Sequence, residues 1–131
     1  MSAEAELQIA ISNALSAGLS DPVFAWGDVP DNLDSLYVVI GDDTFIEYDT
    51  DGLTGFEATV VIHTWDTRSS NRSQIPLKNL KGEIYDLLHR AELVISGYNV
   101  ITVEQEFSDN PRDPDGLTRH GVQRFRILMR A

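Results

Sequence analysis

The sequence predicts an α+β domain, a mostly antiparallel sheet with two helices packed on one face, and three observations predict it. Two segments, near residues 3–18 and 76–90, repeat apolar residues at helical spacing. Four others run β-branched and aromatic or alternate with a period of two, as strands do. The strand segments fall in adjacent pairs, which gives the order α-β-β-α-β-β with a hairpin wherever strand follows strand. A length of 131 residues fits a single domain, 1–131, able to bury a core without staples.

In residues 3–18, Leu7, Ile11, Ala14 and Gly18, with Leu15 beside them, fall on one helical face. Ser2 suits the N-cap, Glu4 and Glu6 suit the positive end of the helix dipole, and Gly18 suits the stop. Residues 20–35 are rich in turn dipeptides, with a short extended piece over Val23–Trp26. Leu36–Gly41 is a continuous β-branched and aromatic run, the pattern of a strand covered on both faces. Residues 42–55 hold Asp42, Asp43, Glu47, Asp49 and Asp51 and close on Asp51-Gly52, which predicts the exposed tip of a long hairpin or an extended loop. Phe56–Asp66 alternates: Phe56, Ala58, Val60, Ile62 and Thr64 share one face, and Glu57, Thr59, Val61, His63 and Trp65 the other.

Thr67–Ser73 is polar and turn-rich. The second helix, Pro76–Arg90, turns Leu77, Leu80, Ile84, Leu87 and Leu88 inward and leaves Lys78, Lys81 and Arg90 in water. Pro76 suits its first turn, and Gly82 is expected to mark close packing. Gly97–Val100 turns into a strand reaching Phe107, with Ile101, Val103, Gln105 and Phe107 on one face. Asn110–Gly116, with two prolines and a glycine, reads as a loop. The last strand, Thr118–Arg130, alternates Gln123, Phe125, Ile127 and Met129 with Val122, Arg124, Arg126, Leu128 and Arg130.

The charge is unevenly spread. Residues 1–67 carry 13 acids and no Lys or Arg, and residues 68–131 carry 8 acids and 10 bases, so the halves stand at −13 and +2. The first half offers no basic footprint for phosphate. Its acids are either a solvated surface that resists aggregation or a surface that repels an anion or docks a basic partner. Arg124, Arg126 and Arg130 share one strand face and suit a contact between copies, or pairing with the chain's own acids. No cysteine is present, no apolar run approaches the roughly 18 to 20 residues of a membrane helix, and Met1–Glu6 lacks the basic stretch of a secretory signal. These features predict a protein made and kept in the cytoplasm unless an assembly carries it elsewhere, with no membrane partner.

Few residues are spaced as site chemistry requires. With Gly52 as the sixth position of a calcium loop, the twelfth is Ala58 where the loop needs Glu, and Gly116 fails in the same way at Val122. His63, His89 and His120 show no short ligand spacing. No nucleophile elbow, phosphate loop or dinucleotide fingerprint is present. The sequence therefore points to no catalytic residue, no cofactor and no metal.

Three stretches carry a family resemblance. They are Tyr37–Asp42, Ala58–Asp66 with the polar loop after it, and above all Asp113–Arg126 (DPDGLTRHGVQRFR). Together they resemble the tail-completion or tail-terminator family of long-tailed bacteriophages, prophages and gene transfer agents, over nearly the whole chain. The resemblance implies a non-enzymatic virion protein, assembled in the host cytoplasm and sited at the head-proximal end of the tail. It implies a homo-oligomeric ring, usually a hexamer, that stops growth of the major tail tube protein and meets the head-tail connector or stopper protein, with DNA passing through its lumen without specific binding. Asp115, Gly116, Arg119 and His120 are motif positions to which the resemblance assigns no role. The acidic segment Asp42, Asp43, Glu47, Asp49 and Asp51 is the candidate for a surface facing the lumen or an axial partner. Three other functions compete: a different neck component, such as a head-completion stopper or adaptor; from a different class, a metal-dependent hydrolase using the acidic cluster; and a monomeric binding module.

Overall fold

The computed structural model describes residues 2–49 and 51–131. Its elements are α1 (Ala3–Gly18), β1 (Val23–Ala25), β2 (Leu36–Glu47), β3 (Gly55–Asp66), α2 (Ile75–Leu88), β4 (Asn99–Asp109) and β5 (Arg119–Arg130). The α+β class, the mostly antiparallel sheet and the two helices agree with the sequence reading. The element order is corrected by one strand, to α-β-β-β-α-β-β. Val23–Ala25 joins β2 in parallel, Val23 opposite Val38. Flanked by Asp21-Pro22 and Gly27-Asp28, it has only three residues, too few to show a period.

The strands lie in the order β1-β2-β3-β5-β4. β3 and β5 pair from Gly55 opposite Arg130 to Asp66 opposite Arg119 without a register shift. Their alternation therefore sorts every side chain cleanly between the two faces of the sheet. On the inner face Ala58, Val60, Ile62, Phe125, Ile127 and Met129 join Val38, Ile40 and Val103 in one buried cluster. Leu7, Ile11 and Leu15 of α1 and Leu80, Ile84 and Leu88 of α2 complete that cluster, so both helices cover the same face. Ser2 caps α1 as expected, its hydroxyl accepting the Ala5 N–H at 3.3 Å.

The acidic segment is a hairpin, and half of it is strand. β2 runs on to Glu47, with a register shift between Ile40 and Asp43 that inserts Gly41-Asp42 as a bulge. Asp42, Asp43 and Glu47 therefore stand on a strand, and only Asp49 and Asp51 lie at the tip. Residue 50, within this segment, lies outside the described residues. Asp51 (φ 50°) and Gly52 (φ 76°) form the turn, and the Gly55 N–H donates to Asp49 Oδ1 at 3.2 Å. An edge-on aromatic set, Phe45 on Phe56 and Phe56 on Tyr98, anchors the hairpin's base.

Three further expectations are corrected. Lys81 is buried, and its Nζ donates to Ser108 Oγ (2.8 Å), Asn110 Oδ1 (2.8 Å) and the Asp109 carbonyl (3.0 Å). All three ammonium protons are used, which is what makes its burial tolerable and ties α2 to the end of β4. Gly82 marks no close packing, because a Cβ there meets nothing within 4 Å. In β4 the face assigned to Ile101, Val103, Gln105 and Phe107 is broken by register shifts at Val100/Thr102 and Gln105/Phe107. Val103 is buried, whereas Ile101 and Phe107 are exposed.

Two glycines give opposite expectations. A Cβ at Gly55 would lie 2.4 Å from the Tyr48 carbonyl oxygen and 3.0 Å from that of Met129, both backbone atoms that cannot swing aside. Gly55→Ala is expected to lower stability by about 1 to 3 kcal/mol. Gly82→Ala is expected to raise it by up to about 1 kcal/mol through helix propensity. Urea denaturation of the two variants measures both changes.

Candidate functional site

The helices leave the other face of the sheet uncovered, and three groups of side chains are ordered along it and at its end. The first surrounds the start of β5. The His120 ring lies flat on Trp65, its partner across the β3–β5 ladder, with centroids 3.7 Å apart. His63 Nδ1 and His120 Nε2 are 2.8 Å apart, so one nitrogen donates and the other accepts. Both rings cannot be charged while that bond holds. Gly41 in the β2 bulge makes room for this, since a Cβ there would come within 2.7 Å of the His63 ring. Burial and then the neighbouring His63 push His120 down to about 4, and burial lowers His63 against the opposing pull of Asp42.

Next to this stack the loop after β1 folds over β2. Thr67 Oγ1 donates to the Leu33 carbonyl and accepts the Ser35 N–H, which holds the loop against the end of β3. Trp26, Gly27, Val29, Tyr37, Val39 and Trp65 line an apolar cleft of about 310 Å³ there. Tyr37 and Val39 are thereby buried on the outer face while Val38 and Ile40 are buried on the inner one. This is the two-sided burial that the run Leu36–Gly41 predicts.

The second group is charged. Arg124 Nε donates to Glu106 Oε1 at 2.8 Å, and Arg126 Nε to Glu57 Oε1 at 2.5 Å. Arg124 also lies 5.1 Å from the Phe107 ring centroid. Two of the three arginines expected on this face thus pair within the chain. Arg130 shares their face and has no ion pair among the described residues.

The third group closes the sheet's end. Asp66 is fully buried, and Arg68 grips it with Nε and Nη2, both at 2.9 Å. The Arg68 N–H (3.1 Å), Asn71 Nδ2 (3.1 Å) and Arg119 Nη2 (3.4 Å) converge on the same carboxylate. Burial pushes this carboxyl up, but the hydrogen bonds from Arg68, Arg119 and Asn71 outweigh it and hold it well below the usual carboxylate range. Arg119 is delivered by the turn before it. Asp115 accepts the N–H groups of Leu117 (2.7 Å) and Thr118 (2.8 Å) and the Thr118 hydroxyl (2.6 Å), bonds that bring its carboxyl down to about 2. Gly116 takes φ 69° in that turn.

The motif positions Asp115, Gly116, Arg119 and His120 therefore lie together, but as a framework that locks the loop onto the end of β3. Of the acidic segment, Asp42, Asp43, Glu47, Asp49 and Asp51 are all exposed. Among the described residues no three His, Cys, Asp or Glu side chains are placed to hold a metal ion, so the hydrolase alternative gains no geometry. Sequence reasoning missed Asp66 and Lys81. Asp66 carried a readable signal, because it falls on the same alternation as Ala58, Val60 and Ile62, which puts a carboxylate on the buried face.

The profile of the tail completion protein gp17 family matches residues 8–130. The chain belongs to this phage tail-completion family. One curated relative, the tail completion protein gp17 of Bacillus phage SPP1, is 24% identical over 93 residues. Those residues cover 71% of the present chain and 66% of the relative, so the match spans just under two-thirds of that protein's length. A chain in a structure described as the virion of a native gene transfer agent particle superposes with a TM-score of 0.85 at 18% identity. The superposition covers 99% of the present chain and 98% of that chain, so the two share the whole fold.

Two outcomes follow from the site. Asp66→Ala leaves two arginine side chains facing an empty buried position, and a loss of about 3 to 5 kcal/mol is expected in denaturant unfolding. For His120 the folded state disfavours the proton, so the unfolded chain binds more protons between about pH 4 and pH 6.5. Stability is expected to rise with pH across that window and then level off. His120→Phe, which keeps a ring on Trp65, should flatten the rise, as melting temperatures taken from pH 4 to 8 will register.

Proposed function

We propose that this chain is a structural virion protein, a single domain that forms a homo-oligomeric ring, a hexamer, on the head-proximal end of a phage-type tail tube. The ring stops addition of the major tail tube protein and offers its other side to the head-tail connector or stopper protein. The match to the tail completion family over residues 8–130 carries this reading. The whole-chain likeness to a fold found in a gene transfer agent virion supports it.

The surface chemistry agrees. The uncovered sheet face and the exposed hairpin give a small protein two surfaces that copies or partners can cover. A head-to-tail contact repeated around an axis closes into a ring. A chain with net charge −11 lets a DNA duplex slide past without holding it, because phosphate binding needs basic neutralisation. The role asked of the chain is positional, and none of the side-chain groups described above is arranged as a nucleophile with its base.

Deleting the gene separates this role from that of a head-completion stopper. Electron microscopy of the deletion lysate is expected to show tails of uncontrolled, excessive length. Tails of normal length beside heads that have lost their DNA would instead assign the chain to the stopper position.

A further inference from the structure

The acidic hairpin and the arginine-rich loops stand at opposite ends of the long central strands. β3 and β5 are twelve residues each, which at about 3.3 Å per residue separates their ends by roughly 36 Å. The hairpin tip lies beyond Gly55 at one end; at the other, Arg119 stands opposite Asp66, and Arg68, Arg72 and Arg112 gather in the loops beside it. Two of these four are already engaged, since Arg68 and Arg119 hold Asp66. Arg72 and Arg112 have no ion pair among the described residues.

Arg72 and Arg112 line one pocket of about 350 Å³ with Gln74, Asp113, Leu117 and Arg119. Its one acid, Asp113, is turned to the Asp115 N–H at 3.0 Å. Leu117 is 60% exposed at the wall. The pocket thus presents two guanidinium groups without an ion pair among the described residues and two apolar side chains, Leu117 and Pro111. The hairpin presents the complement: Glu47, Asp49 and Asp51 with the exposed Tyr48 and Leu53 among them. Within one copy the two cannot meet.

We propose that in the assembled ring the hairpin tip of each copy seats in the Arg72–Arg112 pocket of the next. This rests on the ring reading above and names the contact that makes it. It assigns the tip to a neighbouring subunit in place of the lumen or axial position expected from the sequence, and it moves the basic partner from the β5 arginines to the loops beyond Asp66. The contact is head-to-tail, so each copy uses one of each surface, as ring closure requires. Exposed ion pairs alone contribute little, so Tyr48, Leu53 and Leu117 supply the burial and the charges set the orientation.

The test is a charge exchange between two variants. Glu47→Lys/Asp51→Lys makes the tip basic, and Arg72→Glu/Arg112→Glu makes the pocket acidic; neither pair touches the bonds that hold the fold. Rings are read by mass photometry in solution and by counting capped tubes in negative stain, with circular dichroism confirming folding. Wild type is expected to form rings, each variant alone to lose at least nine-tenths of them, and an equimolar mixture to recover them. Rings formed by either variant alone, or a mixture that recovers none, would overturn this contact and leave the ring reading intact. Wild type that forms no ring by either readout overturns both. The chain's lack of cysteines allows a second reading: Asp51→Cys/Arg72→Cys should give a disulfide-linked ladder on oxidation, and a wild-type-like ring without a ladder contradicts the contact.

Discussion

The unbroken pairing of β3 with β5 is the constraint on which the rest depends. Because side chains alternate with a strict period of two, a slip of one residue would carry Arg124 and Arg126 into the core and Phe125 and Ile127 into water. The register is pinned at the loop end by the buried Asp66 carboxylate, which Arg119 reaches from the opposite strand and Arg68 from the following loop. At the other end the close backbone approach at Gly55 leaves no room for adjustment. With those ends held, the two helices pack on one face of the sheet and leave the other without a helix.

The parts of this architecture governed by local periodicity were legible in the sequence. Helix α1, the alternation of Phe56–Asp66 and that of the last strand read directly, because each buries one face and each is free of irregularity. β4 did not, since its bulges shift the alternation at positions that no residue type announces. Lys81 did not either: its three acceptors lie 27 to 29 residues away, so helical spacing showed only a lysine beside a leucine stripe. The candidate site was legible in inventory but not in arrangement. The acids, arginines and histidines were all visible, whereas the contact between His63 and His120, 57 residues apart, needed the sheet to bring it about.

The charge polarity of the two halves takes a spatial form in the fold. The half without bases supplies the hairpin arm, and the loops of the second half supply the free arginines at the far end. The β5 arginines, the more conspicuous feature of the sequence, are largely spent on Glu57 and Glu106. The motif around Asp115–His120 is likewise explained by folding, since each of its residues helps to set Arg119 on Asp66 or His120 on Trp65. Membership of the tail completion family places the chain among the structural proteins of phage-type tails.

If the chain terminates a growing tube at one end, as proposed, tube length responds to it. Purified tube subunits polymerised with increasing amounts of the protein should give progressively shorter tubes, each bearing one ring of extra density at a single end. Tubes whose length distribution is indifferent to the protein, with no density at either end, would rule out a terminating role.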